Sequence, residues 1–143
     1  MRLKVVLDTN VILAALPEWS KYRIVFDALL NDEYDAVVNT EIFLEYEEKI
    51  REKFDQEVAD LNLDALKILP NVFYQEVWFQ FNLIANDPDD NKFVDCALAA
   101  NVSFIVTNDK HFNALKKINF PKIELLTVEE FSAILLAKHQ GIT

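Results

Sequence analysis

Val5-Val6-Leu7-Asp8-Thr9-Asn10 reads as a short buried strand that ends on a carboxylate. Three consecutive apolar residues, two of them β-branched, suit a strand covered on both faces. The same design returns far along the chain as Phe104-Ile105-Val106-Thr107-Asn108-Asp109. If both are parallel strands of one sheet, Asp8 and Asp109 leave the same carboxyl edge, where open α/β folds keep their ligand sites. Between them, Asp87-Pro88-Asp89-Asp90-Asn91 forms a third concentration of acid. Carboxylates that converge without basic partners repel one another and resist desolvation, so the pattern calls for a divalent cation.

Outward from these stretches, strand-like runs alternate with helix-length amphipathic segments. Leu3 to Leu7 is followed by a helical region from Asn10 to Asn31, interrupted near Pro17, and by a second strand at Asp35 to Val38. From Thr40 to Phe54 the residues Phe43, Tyr46, Ile50 and Phe54 recur at three- and four-residue steps, the signature of a helix with one buried face. Gln56 to Tyr74 reads as largely helical, broken at Pro70, and Val77 to Ile84 as a strand of imperfect alternation. Pro88 opens another helix, which is followed by a strand at Ser103 to Val106, a short helix from Lys110, and a last strand at Ile123 to Leu126. Thr127-Val128-Glu129-Glu130 has the form of a capping box. This alternation predicts an α/β fold, a three-layer α/β/α sandwich around a mostly parallel sheet of about five strands, because parallel strands need crossover connections. Residues 1–143 fit one domain.

Composition removes several classes of function. The only glycine is Gly141, so phosphate-cradling loops, dinucleotide fingerprints and nucleophile elbows are excluded. Cys96 is the only cysteine, which excludes an internal disulfide and a cysteine-rich zinc site and fits a reducing cytoplasm. The amino terminus reaches charge before a signal-peptide core can form, and no apolar stretch approaches membrane-spanning length, so secretion and insertion are disfavoured. A formal charge of -10 sets an unfavourable long-range field for any polyanion, which bound metal would partly offset.

Each acid has a structural alternative. Aspartate caps helices, and both Asp8 and Asp109 precede one; Asp87, Asp89 and Asp90 lie where a helix macrodipole favours acid. Asp90 stands one turn before Val94 and two before Ala97, on the apolar side of its helix, which points it toward the sheet. Glu41, Glu45 and Glu48 line one side of the second long helix, and Glu45, between Ile42 and Tyr46 in angular terms, is the one closest to the core boundary. Lys92, Lys110, His111, Lys116 and Lys117, with Lys21 and Arg23, are candidates for phosphate contacts.

The ordered set Leu7-Asp8-Thr9-Asn10-Val11, Glu45-Tyr46-Glu47-Glu48, Asp87-Pro88-Asp89-Asp90-Asn91-Lys92-Phe93 and Val106-Thr107-Asn108-Asp109-Lys110 resembles the PIN-domain family, in its branch of bacterial and archaeal toxins from toxin-antitoxin systems. The likeness spans nearly the whole chain. It implies a PIN-like fold in which Asp8, Glu45, Asp90 and Asp109 occupy the family's four acidic positions, binding Mg²⁺ or Mn²⁺ for phosphodiester hydrolysis. Asn10 and Thr107 match supporting polar positions, and Asp87 and Asp95 are additional acids. The implied substrate is RNA, and the implied partners are an antitoxin that covers the site and a second copy of the chain or another subunit that adds contacts.

The expected chemistry is that of a metal-dependent endoribonuclease. Oxygen-rich ligands select a hard cation that lowers the pKa of bound water and neutralises charge on the phosphate. Asp8, Asp90 and Asp109 are the expected ligands, with Glu45 acting through water or as the base; one-metal and two-metal sites draw on the same acids. A phosphoryl-transfer domain with an aspartate nucleophile also places acids at strand ends, but the haloacid-dehalogenase-like pattern wants an acid where Asn10 stands. A non-catalytic protein-binding module with structural acids is the remaining alternative.

Overall fold

The computed structural model describes residues 2–77, 80–84, 88–118 and 122–141. Five parallel strands form one sheet in the order β3-β2-β1-β4-β5, with β1 at Lys4–Leu7, β2 at Asp35–Val38, β3 at Val72–Tyr74, β4 at Phe104–Val106 and β5 at Leu125–Leu126. The helices are α1 (Thr9–Ala15), α2 (Arg23–Leu30), α3 (Thr40–Lys53), α4 (Gln56–Ile68), α5 (Asn91–Ala100) and α6 (Val128–His139), with 3₁₀ segments at Pro88–Asp90 and Lys110–Lys117. The expected α/β alternation is therefore present.

Successive side chains of a strand point to opposite faces, and Val5, Val6 and Leu7 are all buried. Both faces of the sheet are consequently covered, which is the three-layer arrangement. Helix α5 packs across β1, β2 and β4, α4 against β3, and α6 against β5 and α2. Strand order reverses at β1, since the chain moves outward through β2 and β3 and then crosses back to β4 on β1's other side. A crevice at the carboxyl edge follows from that reversal.

Register decides which residues meet there. Val5, Val6 and Leu7 pair with Phe104, Ile105 and Val106, so the next residues, Asp8 and Thr107, emerge side by side. The Asp8 backbone N–H donates to the Val106 carbonyl at 3.0 Å, extending the ladder one step to the carboxylate itself. On the other side, Tyr46 of α3 donates its hydroxyl to the Leu7 carbonyl, pinning that helix to the end of β1.

Two expectations need correction. The third strand is not at Val77 to Ile84: residues 77 and 80–84 carry no strand, and Trp78 and Phe79 lie outside the described residues. It lies at Val72–Tyr74, inside the stretch read as helical, and α4 ends at Ile68. The residue before a proline is pushed out of the helical region, and Leu69, before Pro70, is extended at φ -63° and ψ 126°. The chain turns over Pro70 and Asn71, closed by the Val72 N–H donating to the Leu69 carbonyl at 3.2 Å, before Val72, Phe73 and Tyr74 pair with Ala36, Val37 and Val38. β-branched and aromatic residues beside an available strand prevail over helical periodicity.

Residues 80–84 are held by α5 instead. Asn91 accepts the Ile84 N–H at 2.8 Å and donates to the Ile84 carbonyl at 2.9 Å, while Asp95 accepts the Phe81 N–H at 3.0 Å. Helix α5 itself ends on Asn101 at φ 52°, a left-handed position that asparagine takes in a chain with almost no glycine. The Thr127–Glu130 capping box of α6 is formed as expected. Cys96 is fully buried, with burial raising its thiol pKa to about 12. Among the described residues, no helix is long and apolar enough to cross a membrane.

Candidate metal centre

Asp8 stands at the N-cap position of α1 in extended conformation, yet its side chain makes no capping bond. The carboxylate turns instead to β4, where the Thr107 hydroxyl donates to Oδ2 at 2.7 Å. That hydroxyl oxygen in turn accepts the Asp109 N–H at 3.0 Å, so Thr107 joins the two strand-end aspartates through one atom. Asp8 is 5% exposed. Burial raises its pKa, and the charges of Asp109 and Glu45 add to that, against the opposing hydrogen bonds from Thr107 and the Thr9 N–H.

Asp90, at the N-cap position of α5, likewise makes no capping bond and is buried, as its register with Val94 and Ala97 requires. Asp109 does cap: Oδ1 accepts the His111 N–H at 2.9 Å at the start of the 3₁₀ segment. Helix capping by a side chain is thus seen at Asp109 and not at Asp8 or Asp90.

The turn that Asp109 caps folds His111 back over the acids. Its Nδ1 lies 3.3 Å from Asp109 Oδ1 and 3.8 Å from Asp90 Oδ2. One ligand atom each from Asp90, Asp109 and His111 all fall within 4.8 Å of one another. Ligands about 2.1 Å from an octahedral ion stand about 3 Å apart when adjacent and about 4.2 Å when opposite. The two His111 distances lie in this range, as a small divalent cation requires.

Asp8 stands outside that trio and is tied to it through Thr107, while facing the same cleft of about 240 Å³ with Asn10, Val11, Tyr22, Asn108 and Asp109. Asn10 is exposed on its rim. Glu45 also stands outside the trio, half-buried between Thr9, whose hydroxyl donates to one carboxylate oxygen, and Lys92, whose Nζ is 3.1 Å from the other. Lys92 donates further to the Asp89 carbonyl at 2.7 Å. Its ammonium is thus engaged with an acid of the site, whereas Lys110 is exposed beside it.

Glu41 and Glu48 are exposed. Asp95 borders a separate small pocket with Glu41, Asp89, Asn91 and Lys92, and its pKa is raised by burial and by the charge of Glu41, against the Phe81 N–H bond. Asp87 lies outside the described residues. His111 is the residue that sequence reasoning grouped differently, as one base among several. Its signal is the spacing Asp109-Lys110-His111 at the start of a helical turn, which returns residue 111 to the side chain of residue 109.

The PIN domain family matches residues 4–111. Curated protein sequences give no match. Among solved structures, the chain is similar to VapBC2 of Rickettsia felis bound to a DNA fragment from its promoter, at 16% identity over 87% of this chain and 98% of that one, with a TM-score of 0.62. It is also similar to FitAcB of Neisseria gonorrhoeae, at 17% identity over 87% and 98% of the two chains, TM-score 0.58. VapBC-1 of nontypeable Haemophilus influenzae matches at 16% identity over 89% and 99%, TM-score 0.56. At these identities the likeness is one of fold.

Proposed function

The chain belongs to the PIN-domain family, whose members are typically nucleases, and from that premise we propose that it is a metal-dependent endoribonuclease acting as the toxin of a toxin-antitoxin pair in the cytoplasm. Two observations support this reading: Thr107 joins the strand-end acids Asp8 and Asp109, and Asp109 shares with Asp90 and His111 a set of donor atoms that all lie within 4.8 Å of one another. Asp8 and Asp90 are buried, and a divalent cation would offset the repulsion and desolvation cost of carboxylates brought to one edge.

Asp90 and Asp109 would hold Mg²⁺ or Mn²⁺ directly, and Asp8 would complete the site from the far side of Thr107. When bound, the ion supplies Lewis acidity for water activation and neutralises charge on the scissile phosphate. The Thr107 hydroxyl orients Asp8 and favours its ionised form against the effect of burial. Glu45 has one oxygen on Thr9 and one on Lys92, which suits a residue that positions solvent at the site. The cleft beside Asp8 and Asn10 would receive the RNA strand, and Lys110, exposed and next to Asp109 in the chain, would contact backbone phosphates.

The overall negative charge works against RNA capture. A partner bearing basic groups, or a second copy of the chain, would offset it. Likeness to VapBC2 and FitAcB supports an antitoxin as that partner.

The test is cleavage of single-stranded and stem-loop RNA by the purified protein with Mg²⁺ or Mn²⁺, with and without chelator. We expect cleavage that chelation abolishes and that Asp8→Asn reduces by at least about a hundredfold, the scale of losing an electrostatic contributor at a reacting centre. Cleavage that survives chelation, or that the Asp8→Asn protein performs normally, overturns the proposal.

A further inference from the structure

We propose that His111 is a nitrogen ligand of the metal centre and that it tilts the site toward Mn²⁺ over Mg²⁺. The inference rests on the metal-dependent reading above and names a donor beyond the four acids.

Its ground is geometric. His111 Nδ1 faces two carboxylates from different elements, Asp109 at 3.3 Å and Asp90 at 3.8 Å, and the three donors share a span of 4.8 Å. The two His111 distances fall between those of adjacent and opposite corners of an octahedron with bonds of about 2.1 Å. The ring position is set by the backbone: Asp109 Oδ1 accepts the His111 N–H, which fixes the turn that brings the imidazole over the acids. His111 is half-exposed, so an ion reaches it from solvent without the core opening. Asp90 holds the opposite side from the first residues of α5.

The chemistry of the donors then sets the preference. A site made only of carboxylate and water oxygen suits Mg²⁺, whereas an imidazole nitrogen adds a borderline donor that first-row transition ions bind more strongly. Within this mixed set, Mn²⁺ keeps the carboxylates it shares with Mg²⁺ and gains the nitrogen.

The experiment uses Mn²⁺ alone as the probe, on the full chain without RNA. Pulsed electron paramagnetic resonance of the Mn²⁺-loaded protein should show coupling to a directly bound ¹⁴N, replaced by the ¹⁵N pattern when histidine is isotopically labelled. His111→Gln should remove it. His139→Gln should keep it, because His139 pairs with Glu33 at 2.8 Å elsewhere on the protein. By calorimetry, His111→Gln should weaken Mn²⁺ binding about tenfold and change Mg²⁺ binding by less than about threefold. Circular dichroism of the variant reports its fold. Bound Mn²⁺ with no nitrogen coupling, or coupling that persists in His111→Gln, overturns this inference and leaves the nuclease reading standing. A wild-type protein that binds neither ion overturns both.

Discussion

Thr107 and Asp8 are joined by a 2.7 Å hydrogen bond from hydroxyl to carboxylate, although 99 positions separate them in the chain. The same hydroxyl accepts the Asp109 N–H. One side chain at the end of β4 therefore sets the position of an acid on the neighbouring strand and of the acid two residues ahead of itself. Valine has nearly the same shape and neither function. Thr107→Val should cost about 1–3 kcal/mol, because a buried carboxylate and a backbone N–H both lose their partner. It should also raise the Asp8 pKa further. Urea denaturation and a carbon-detected NMR titration of the Asp8 carboxyl measure the two effects.

Asp8 carries a pKa raised chiefly by burial. A folded-state pKa above the unfolded value means that the native protein holds the proton more tightly. That contribution to stability is full below the ordinary carboxylate range and is lost as pH rises through it to the raised folded value. Above that raised value the ionised, metal-free side chain is thus a burden on the fold. Asp8→Asn keeps an oxygen for Thr107 and removes the charge, so it should stabilise the metal-free protein at pH 7. The gain should vanish near about pH 3, where the native acid is protonated in both states. Thermal melts in the two buffers decide the sign. A mutation that removes activity while raising the melting temperature is the mark of a residue kept for chemistry.

Lys92 and Glu45 form a pair 3.1 Å apart in which neither side chain is strongly exposed. Removing one partner leaves the other charge poorly solvated. Lys92→Met and Glu45→Gln should each destabilise by about 1–2 kcal/mol, and the double variant by clearly less than their sum, giving a coupling of about 1 kcal/mol in a double-mutant cycle. A cycle with no coupling would show that Lys92 does not hold Glu45.

Asn91 closes two hydrogen bonds on the backbone of Ile84. Because Ile84 is buried and lies in no described strand, these bonds, with the one from the Phe81 N–H to Asp95, keep residues 80–84 on α5. Asn91→Ala should cost about 2–4 kcal/mol by leaving two buried backbone groups without partners. Hydrogen exchange at the Ile84 amide should quicken strongly while exchange in β1 stays slow.

The strand-end acids were legible because a strand's burial and its last residue are both local properties. Val5-Val6-Leu7-Asp8 and Phe104-Ile105-Val106 show them directly. The second strand, α3 and the capping box were read for the same reason: each is a pattern within a few consecutive residues. The third strand was misplaced because Val72-Phe73-Tyr74 is too short to show alternation and follows a helical period; only the open edge of β2 makes it a strand. Its neighbour, residues 80–84, owes its path to Asn91 and Asp95 rather than to any periodicity of its own.

By itself, then, the sequence determined an α/β sheet with carboxylates at its strand ends, the ground on which a divalent-ion chemistry is proposed. The tertiary structure decided how those groups are paired: Asp8 with Thr107, Glu45 with Lys92, and Asp90 and Asp109 with His111. The physical reason is that residue type and periodicity act within one element, whereas contact between side chains of different elements depends on strand register and on the turn that follows each strand. A single step of register between β1 and β4 would part Asp8 from Thr107 without changing either local pattern.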